Sequence, residues 1–192
     1  MKNSSSLSGM ECRELIVDEE IRLKEIGLDD VDAIFKIIDS ERVYMQEWLP
    51  FVDLTTTPDF TRNFVTAYVN SDRIDITCAV FYKNCFVGLV GLKDTDLDNQ
   101  KTEIGYWLSE QYQHKGIVTR ACKKMIDYVF REIGLNRIQL KAATENYKSQ
   151  RVAERLGFAL EGIERDGELH TRGFVDLKVY GLLMKDYNFD KI

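Results

Sequence analysis

Apolar positions along the chain follow two periods, one near 3.6 and one of 2, and these separate its helices from its strands. Val31, Ile34, Phe35, Ile37 and Ile38 form an apolar stripe through about Ser40. It follows a first strand over 16–26, a break at Gly27 and the acidic helix start Asp29-Asp30. Trp48-Leu49-Pro50-Phe51 then interrupts regular structure, because proline restricts the residue before it. A second helix is predicted after Thr57-Pro58, with Phe60, Phe64 and Tyr68 at helical spacing and core packing their expected use. Alternation predicts strands over 74–82 and 86–93, joined by a tight turn at Lys83-Asn84, and a third over 103–109. Ala121, Cys122, Met125, Ile126, Val129, Phe130 and Ile133 share one face of a helix that starts near Arg120 and stops at Gly134. Ile138, Leu140 and Ala142 alternate in the next strand, and a short helix runs from Ser149 to Leu156-Gly157. The last strands cover 158–163 and 174–184, with a loop over 167–173 between them. The predicted order is β-α-α-β-β-β-α-β-α-β-β, an α/β (α+β) fold with a mixed central sheet and helices on both faces.

Composition narrows the class. At 192 residues the chain suits one domain over 11–192, with residues 1–10 (MKNSSSLSGM) polar, serine-rich and expected to be disordered. No apolar run approaches the roughly 18 residues of a membrane span, and the start lacks the apolar core of a signal peptide, so a cytoplasmic protein is expected. The cysteines Cys12, Cys78, Cys85 and Cys122 show no paired CxxC spacing, and the last three sit in apolar elements, which predicts buried free thiols. With only two histidines, His114 and His170, no metal site is expected. A net charge of −6 argues against broad nucleic-acid binding and favours a basic acceptor.

The densest chemical signal is EIGYWLSEQYQHKGIVT, residues 103–119. A strand with Ile104, Tyr106 and Leu108 on one face runs into Gln113-His114-Lys115-Gly116 and then into a helix. Backbone N–H groups at such a helix start favour an anion, and the strand, basic glycine turn and helix together suit a pyrophosphate. The long glycine loop with Lys-Ser/Thr of a nucleoside-triphosphate site is absent, as are the three glycines of a dinucleotide site.

Further on, Asn146-Tyr147-Lys148-Ser149 leads into Arg151-Val152-Ala153-Glu154-Arg155-Leu156-Gly157-Phe158. Together the two blocks resemble the GCN5-related N-acetyltransferases, whose acetyl-CoA turn follows Gln/Arg-x-x-Gly-x-Gly/Ala. Gln113, Gly116 and Val118 stand at those positions, so the last small residue is missing. The valine, Asn-x-x-Ser with Leu-Gly-Phe, Glu47-Trp48-Leu49-Pro50-Phe51, Leu160-Glu161-Gly162 and Asp176 are similar to the Rim-type branch, which acetylates N-terminal amines of ribosomal proteins.

The resemblance implies acetyl-CoA as co-substrate and no metal. The pyrophosphate would lie on Gln113, His114, Lys115, Gly116, Ile117, Val118 and Thr119. The pantetheine would run along Trp107, Leu108 and Ser109, with Asn146 bonding it. Many members use a tyrosine three residues before the Leu of Leu-Gly-Phe to protonate the leaving thiolate; here that residue is Ala153. The branch's proposed acid maps onto Ser149, which would also serve as a helix N-cap. Its base maps onto Glu168, with Glu103 as competitor. His114 would only flank the turn and His170 decorate the late loop. Trp48 and Phe51, with Leu49, would wall the acceptor pocket. The expected activity is direct attack of an amine, most simply a protein N-terminus, on the thioester. A small-amine acetyltransferase and a non-catalytic acetyl-CoA-binding protein are the alternatives, and a homo-oligomer is compatible with apolar late strands.

Overall fold

The computed structural model describes residues 14–71 and 74–190; the expected disorder of 1–10, and Cys12, lie outside them. Eight strands form one sheet: β1 (Glu14–Ile16), β2 (Ile21–Glu25), β3 (Thr77–Tyr82), β4 (Cys85–Asp96), β5 (Lys101–Leu108), β6 (Arg137–Ala143), β7 (Ala159–His170) and β8 (Gly173–Leu183). Their order is β1-β2-β3-β4-β5-β6-β8-β7. The helices are α1 (Val31–Ser40), α2 (Arg42–Met45), α3 (Pro58–Val69), α4 (Ile117–Tyr128) and α5 (Tyr147–Arg155).

Strand alternation divides the core in two. Cys78, Val80, Ile104, Leu108, Ile138 and Leu140 pack on one face against the α4 residues Ala121, Cys122, Met125 and Ile126 and the α5 residues Val152 and Ala153. Ala79, Leu89 and Trp107 point the other way, onto Val31, Ile34 and Ile38 of α1 and Val65 of α3. Helices therefore cover both faces of a mixed sheet, as expected. Every pairing is antiparallel except β5 with β6.

Four local expectations need correction. The predicted first strand is a hairpin, β1 and β2, because the Asp18 carboxylate accepts from the N–H groups of Glu20 (2.8 Å) and Ile21 (2.9 Å) and turns the chain. The late loop over 167–173 is a tight turn at Thr171-Arg172, because β7 and β8 pair out to His170↔Gly173. Phe60 and Phe64 are not core: they are 37% and 46% exposed, and the buried residues of that helix are Thr61 and Val65. Cys85 is exposed rather than buried, whereas Cys78 and Cys122 are buried free thiols. Burial pushes the Cys122 thiol far above its ordinary range, so it remains protonated.

Elsewhere the expected features stand. Lys83 and Asn84 both take positive φ (49° and 66°), the backbone of a two-residue hairpin turn. The α4 stripe is buried, and the helix continues through a π-helical turn over Val129–Ile133 to Gly134, whose φ is 77°. No helix among the described residues is long and apolar enough to cross a membrane. β7 and β8 expose Leu160, Ile163, Leu169 and Phe174.

Gly88 on β4 lies where the β5 backbone comes closest: a Cβ there would sit 2.2 Å from the Trp107 carbonyl oxygen. Gly88→Ala is expected to destabilise the protein by about 2–3 kcal/mol, because rigid main chain must move to admit the methyl group. Denaturant unfolding checks this; an unchanged midpoint would contradict the close approach.

Candidate active site

β5 and β6 pair only from Lys101↔Arg137 to Glu103↔Gln139, then separate. β5 stays bonded to β4 as far as Gly88↔Leu108, and β6 stays bonded to β8 as far as Ala143↔Leu177. Between them opens a cleft of about 1100 Å³. Its wall on the β5 side is the strand edge from Gly105 to Leu108, which no longer meets β6.

At one end of the cleft α4 begins. Gly116 is its N-cap in the left-handed region (φ 69°), and the first intrahelical bond closes from the Arg120 N–H to the Gly116 carbonyl at 3.1 Å. The N–H groups of Ile117, Val118 and Thr119 precede it, so the helix start can receive an anion. His114 and Lys115 are exposed beside it, and Arg155 on α5 donates to Thr119 Oγ1 at 3.4 Å. Gln113 is anchored on both sides. Its amide donates to the Tyr44 hydroxyl (2.5 Å) and accepts from Lys148 Nζ (2.9 Å), tying α2 to α5 across the turn. Beneath the turn, Glu41 accepts from Ser109 Oγ (2.6 Å) and from the Glu110 N–H (2.7 Å). Ser109 is fully buried. Trp107 turns its ring away from the cleft edge into the α1/α3 core, edge-on to Phe86 at 5.9 Å.

Two hydroxyls meet where α5 faces β5. Asn146 caps α5, its Oδ1 accepting the Ser149 N–H at 3.1 Å. Ser149 is therefore the third helical residue and not the cap, which leaves its hydroxyl free for another partner. That partner is Tyr106: the two hydroxyl oxygens are 2.8 Å apart. Ala153, one turn on, is buried and offers no donor.

The two carboxylates differ in company. Glu103, 8% exposed, takes Lys93 Nζ at 2.8 Å and Gln139 Nε2 at 3.2 Å, with Lys141 Nζ at 4.0 Å. Burial disfavours the charged form of Lys93, yet Glu103, with Asp94 and Glu168 more remote, holds its pKa above the ordinary lysine value. Glu103 is thus engaged from both neighbouring strands, by Lys93 on β4 and by Gln139 and Lys141 on β6. Glu168 lies on β7, not in a loop, and lines the cleft. Its carboxylate bonds His170 Nε2 at 2.7 Å. His170 is buried and holds Glu168 from behind; it does not decorate a loop.

Trp48, Leu49 and Phe51 line the cleft, and Phe60 and Phe64 of α3 join them. The turn after β7 meets the turn after Pro50, through a hydrogen bond from the Thr171 hydroxyl to the Asp53 carboxylate. The residues passed over in the sequence were Tyr106, His170, Phe60 and Phe64. Glu168 and His170 are two apart, so an extended strand places them on one face, a signal lost once the segment is taken for a loop. Tyr106 carries a hydroxyl among aliphatic neighbours, and a buried tyrosine hydroxyl usually finds a partner.

A mixed sheet that splits beside a glycine-started helix defines an acyl-CoA-type transferase cleft, and residues 20–159 match the family described as acetyltransferase (GNAT) domain. The chain belongs to the GNAT acetyltransferases. It is 34% identical over 179 residues to the putative ribosomal N-acetyltransferase YdaF of Bacillus subtilis (strain 168), covering 91% of this chain and 97% of that protein. It is 25% identical over 170 residues to the ribosomal-protein-serine acetyltransferase of Escherichia coli (strain K12), covering 88% and 95%. Among solved structures it is similar to the microcin C7 self-immunity acetyltransferase MccE in complex with acetyl-CoA and AMP. The TM-score is 0.82 at 26% identity, covering 87% of this chain and 94% of that one.

The Glu41 carboxylate is the bracket between α1 and the end of β5. Glu41→Ala is expected to cost about 1–3 kcal/mol, because Ser109 is left buried without its charged partner. Thermal unfolding reads the loss, and a stability equal to the parent would show that the bracket carries no load.

Proposed function

We propose that this GNAT enzyme transfers the acetyl group of acetyl-CoA to the N-terminal amine of a protein, a ribosomal protein in the first instance. The observation that carries the reading is the open β5 edge, set between an anion-binding helix start, the Ser149 hydroxyl and the Glu168 carboxylate. The pyrophosphate fits the N–H groups from His114 to Thr119, the Gln113 N–H being bonded to Glu110. The pantetheine amides fit the β5 edge that β6 leaves at Trp107 and Leu108, Ser109 being bonded through its N–H to Val87 and through its carbonyl to Tyr112. Asn146 retains its amide N–H₂ for the same arm, since only its oxygen caps α5. Glu168 takes a proton from the incoming ammonium, the neutral nitrogen attacks the thioester carbonyl and then sheds its second proton to solvent, and Ser149 protonates the sulfur as the C–S bond breaks. Glu103 stays with Lys93 and takes no part in the proton transfer. The acceptor approaches from the Trp48 and Phe51 side.

The relatives named for ribosomal proteins support the N-terminal acceptor. A small amine is the second reading, favoured by the aromatic lining of Trp48, Phe51, Phe60 and Phe64.

Release of free CoA thiol from acetyl-CoA, measured with N-terminal peptides and separately with small amines, tests the proposal. Ser149→Ala and Glu168→Gln are each expected to lower kcat by about a hundredfold with peptides, and to leave the affinity for acetyl-CoA nearly unchanged. Turnover with small amines alone would overturn the protein acceptor, and binding without turnover would leave a sensor.

Gly116→Glu places a carboxylate at the anion site. A Cβ at Gly116 meets nothing within 4 Å, and the positive φ costs about 1–2 kcal/mol, so the fold should survive while acetyl-CoA binding by calorimetry is lost. Retained affinity would remove the pyrophosphate from this turn.

A further inference from the structure

Resting on the assignment of Ser149 as the proton donor, we infer that Tyr106 is the positioning residue that makes it one: its hydroxyl donates to Ser149 Oγ, aims the serine proton at the leaving sulfur and takes up the charge that forms on Oγ. A serine hydroxyl is a weaker acid than the thiol it must protonate, so alone it is a poor donor to a thiolate. A hydrogen bond already directed at the oxygen where charge develops lowers that cost without reorganisation.

The geometry meets this need. The two hydroxyl oxygens are 2.8 Å apart, and the Tyr106 hydroxyl also lies 3.4 Å from the Ser149 carbonyl oxygen. The contact to Oγ is the shorter, 2.8 Å against 3.4 Å, so the tyrosine proton is assigned to Oγ and the serine proton is left for the cleft. Both residues line the cleft. Burial raises the Tyr106 pKa well above the ordinary tyrosine value, the Cys122 thiol adding to this and the Ser149 bond and Arg155 opposing it, so the phenol keeps its proton and remains a donor. The pair also makes good the departure at Ala153. The hydroxyl that α5 lacks one turn further on arrives from β5 at the preceding turn.

In the step itself the S–H bond forms as the Oγ–H bond breaks. The electron pair of the C–S bond stays on sulfur and becomes that S–H bond. Charge left on Oγ is shared with the Tyr106 hydroxyl, and a solvent proton restores the pair after CoA departs.

Tyr106→Phe keeps the ring and deletes only the hydroxyl. Thiol release with acetyl-CoA and the preferred acceptor would be followed for the parent, Tyr106→Phe, Ser149→Ala and the double variant, from about pH 7 to about pH 10. Tyr106→Phe is expected to lose about tenfold in kcat with KM for acetyl-CoA unchanged, and the double variant to be no slower than Ser149→Ala. Both deficits should shrink towards high pH, because above the thiol pKa of about 8.5 the leaving group needs no proton; a packing defect would give the same deficit at every pH. If Ser149→Ala is slow but Tyr106→Phe matches the parent, or the two losses multiply in the double variant, Tyr106 has no such role. If Ser149→Ala itself matches the parent, the acid assignment fails first and this inference with it.

Discussion

Everything in the cleft depends on two strands that pair for three residues and then part. Buried backbone N–H and C=O groups are almost always satisfied, so an unpaired strand edge inside a sheet is costly unless something else pairs with it. The divergence is enforced from outside: β4 holds β5 as far as Leu108, and β8 holds β6 as far as Ala143. Neither strand can swing in to close the gap without giving up the ladder on its other side. In the reading proposed above, an extended amide-bearing chain, pantetheine, completes the edge that β6 abandons. Substrate binding is then a continuation of the sheet and needs no dedicated pocket for each amide.

Charge in the cleft is sorted by pairing. Of the three carboxylates that line it, Asp94, Glu103 and Glu168, the sequence offers Glu168 as the base with Glu103 as its competitor. Glu103 sits at the last β5–β6 pair, where Lys93, Gln139 and Lys141 converge. A buried anion so well matched is a structural charge, and it pins the apex of the split. Glu168 stands on β7, with 41% of its side chain exposed and a buried histidine behind it. Its side chain lines the cleft. Role follows from environment here, and environment follows from which strand each residue occupies.

The fold was largely legible in the residues because its cores are periodic. The α4 stripe, the turn at Lys83-Asn84 and the cradle at Gly116 are local patterns, and local patterns survive without knowledge of the rest of the chain. What stayed hidden is long-range. Nothing near Glu103 in sequence announces Lys93 and Lys141, which reach it from neighbouring strands. Glu168 and His170 were legible as a pair only after the extent of β7 was known, and that extent is set by its ladder with β8. Phe60 and Phe64 obey helical spacing yet face the cleft, because spacing gives a stripe and not the identity of what it faces. The first strand broke into a hairpin through a side-chain turn at Asp18, a device that hydrophobic alternation does not record.

The width of the cleft is itself a side-chain property. Two bonds span it from the β5 side to α5: Tyr106 with Ser149 at 2.8 Å, and Gln113 with Lys148 at 2.9 Å. The first lies beside the thioester end of the proposed path and the second beside the pyrophosphate end. Between them runs the open strand edge, which has no side-chain bridge of its own. A helix carrying a stronger acid of its own would need no partner across the gap. With alanine at position 153, α5 offers only the Ser149 hydroxyl, and Tyr106 of β5 reaches across to it. The same bond that completes the proton donor therefore fixes the distance between the two walls. Catalytic geometry and cleft width cannot be varied independently at Tyr106, whereas Lys148 is exposed and can yield when the cofactor enters.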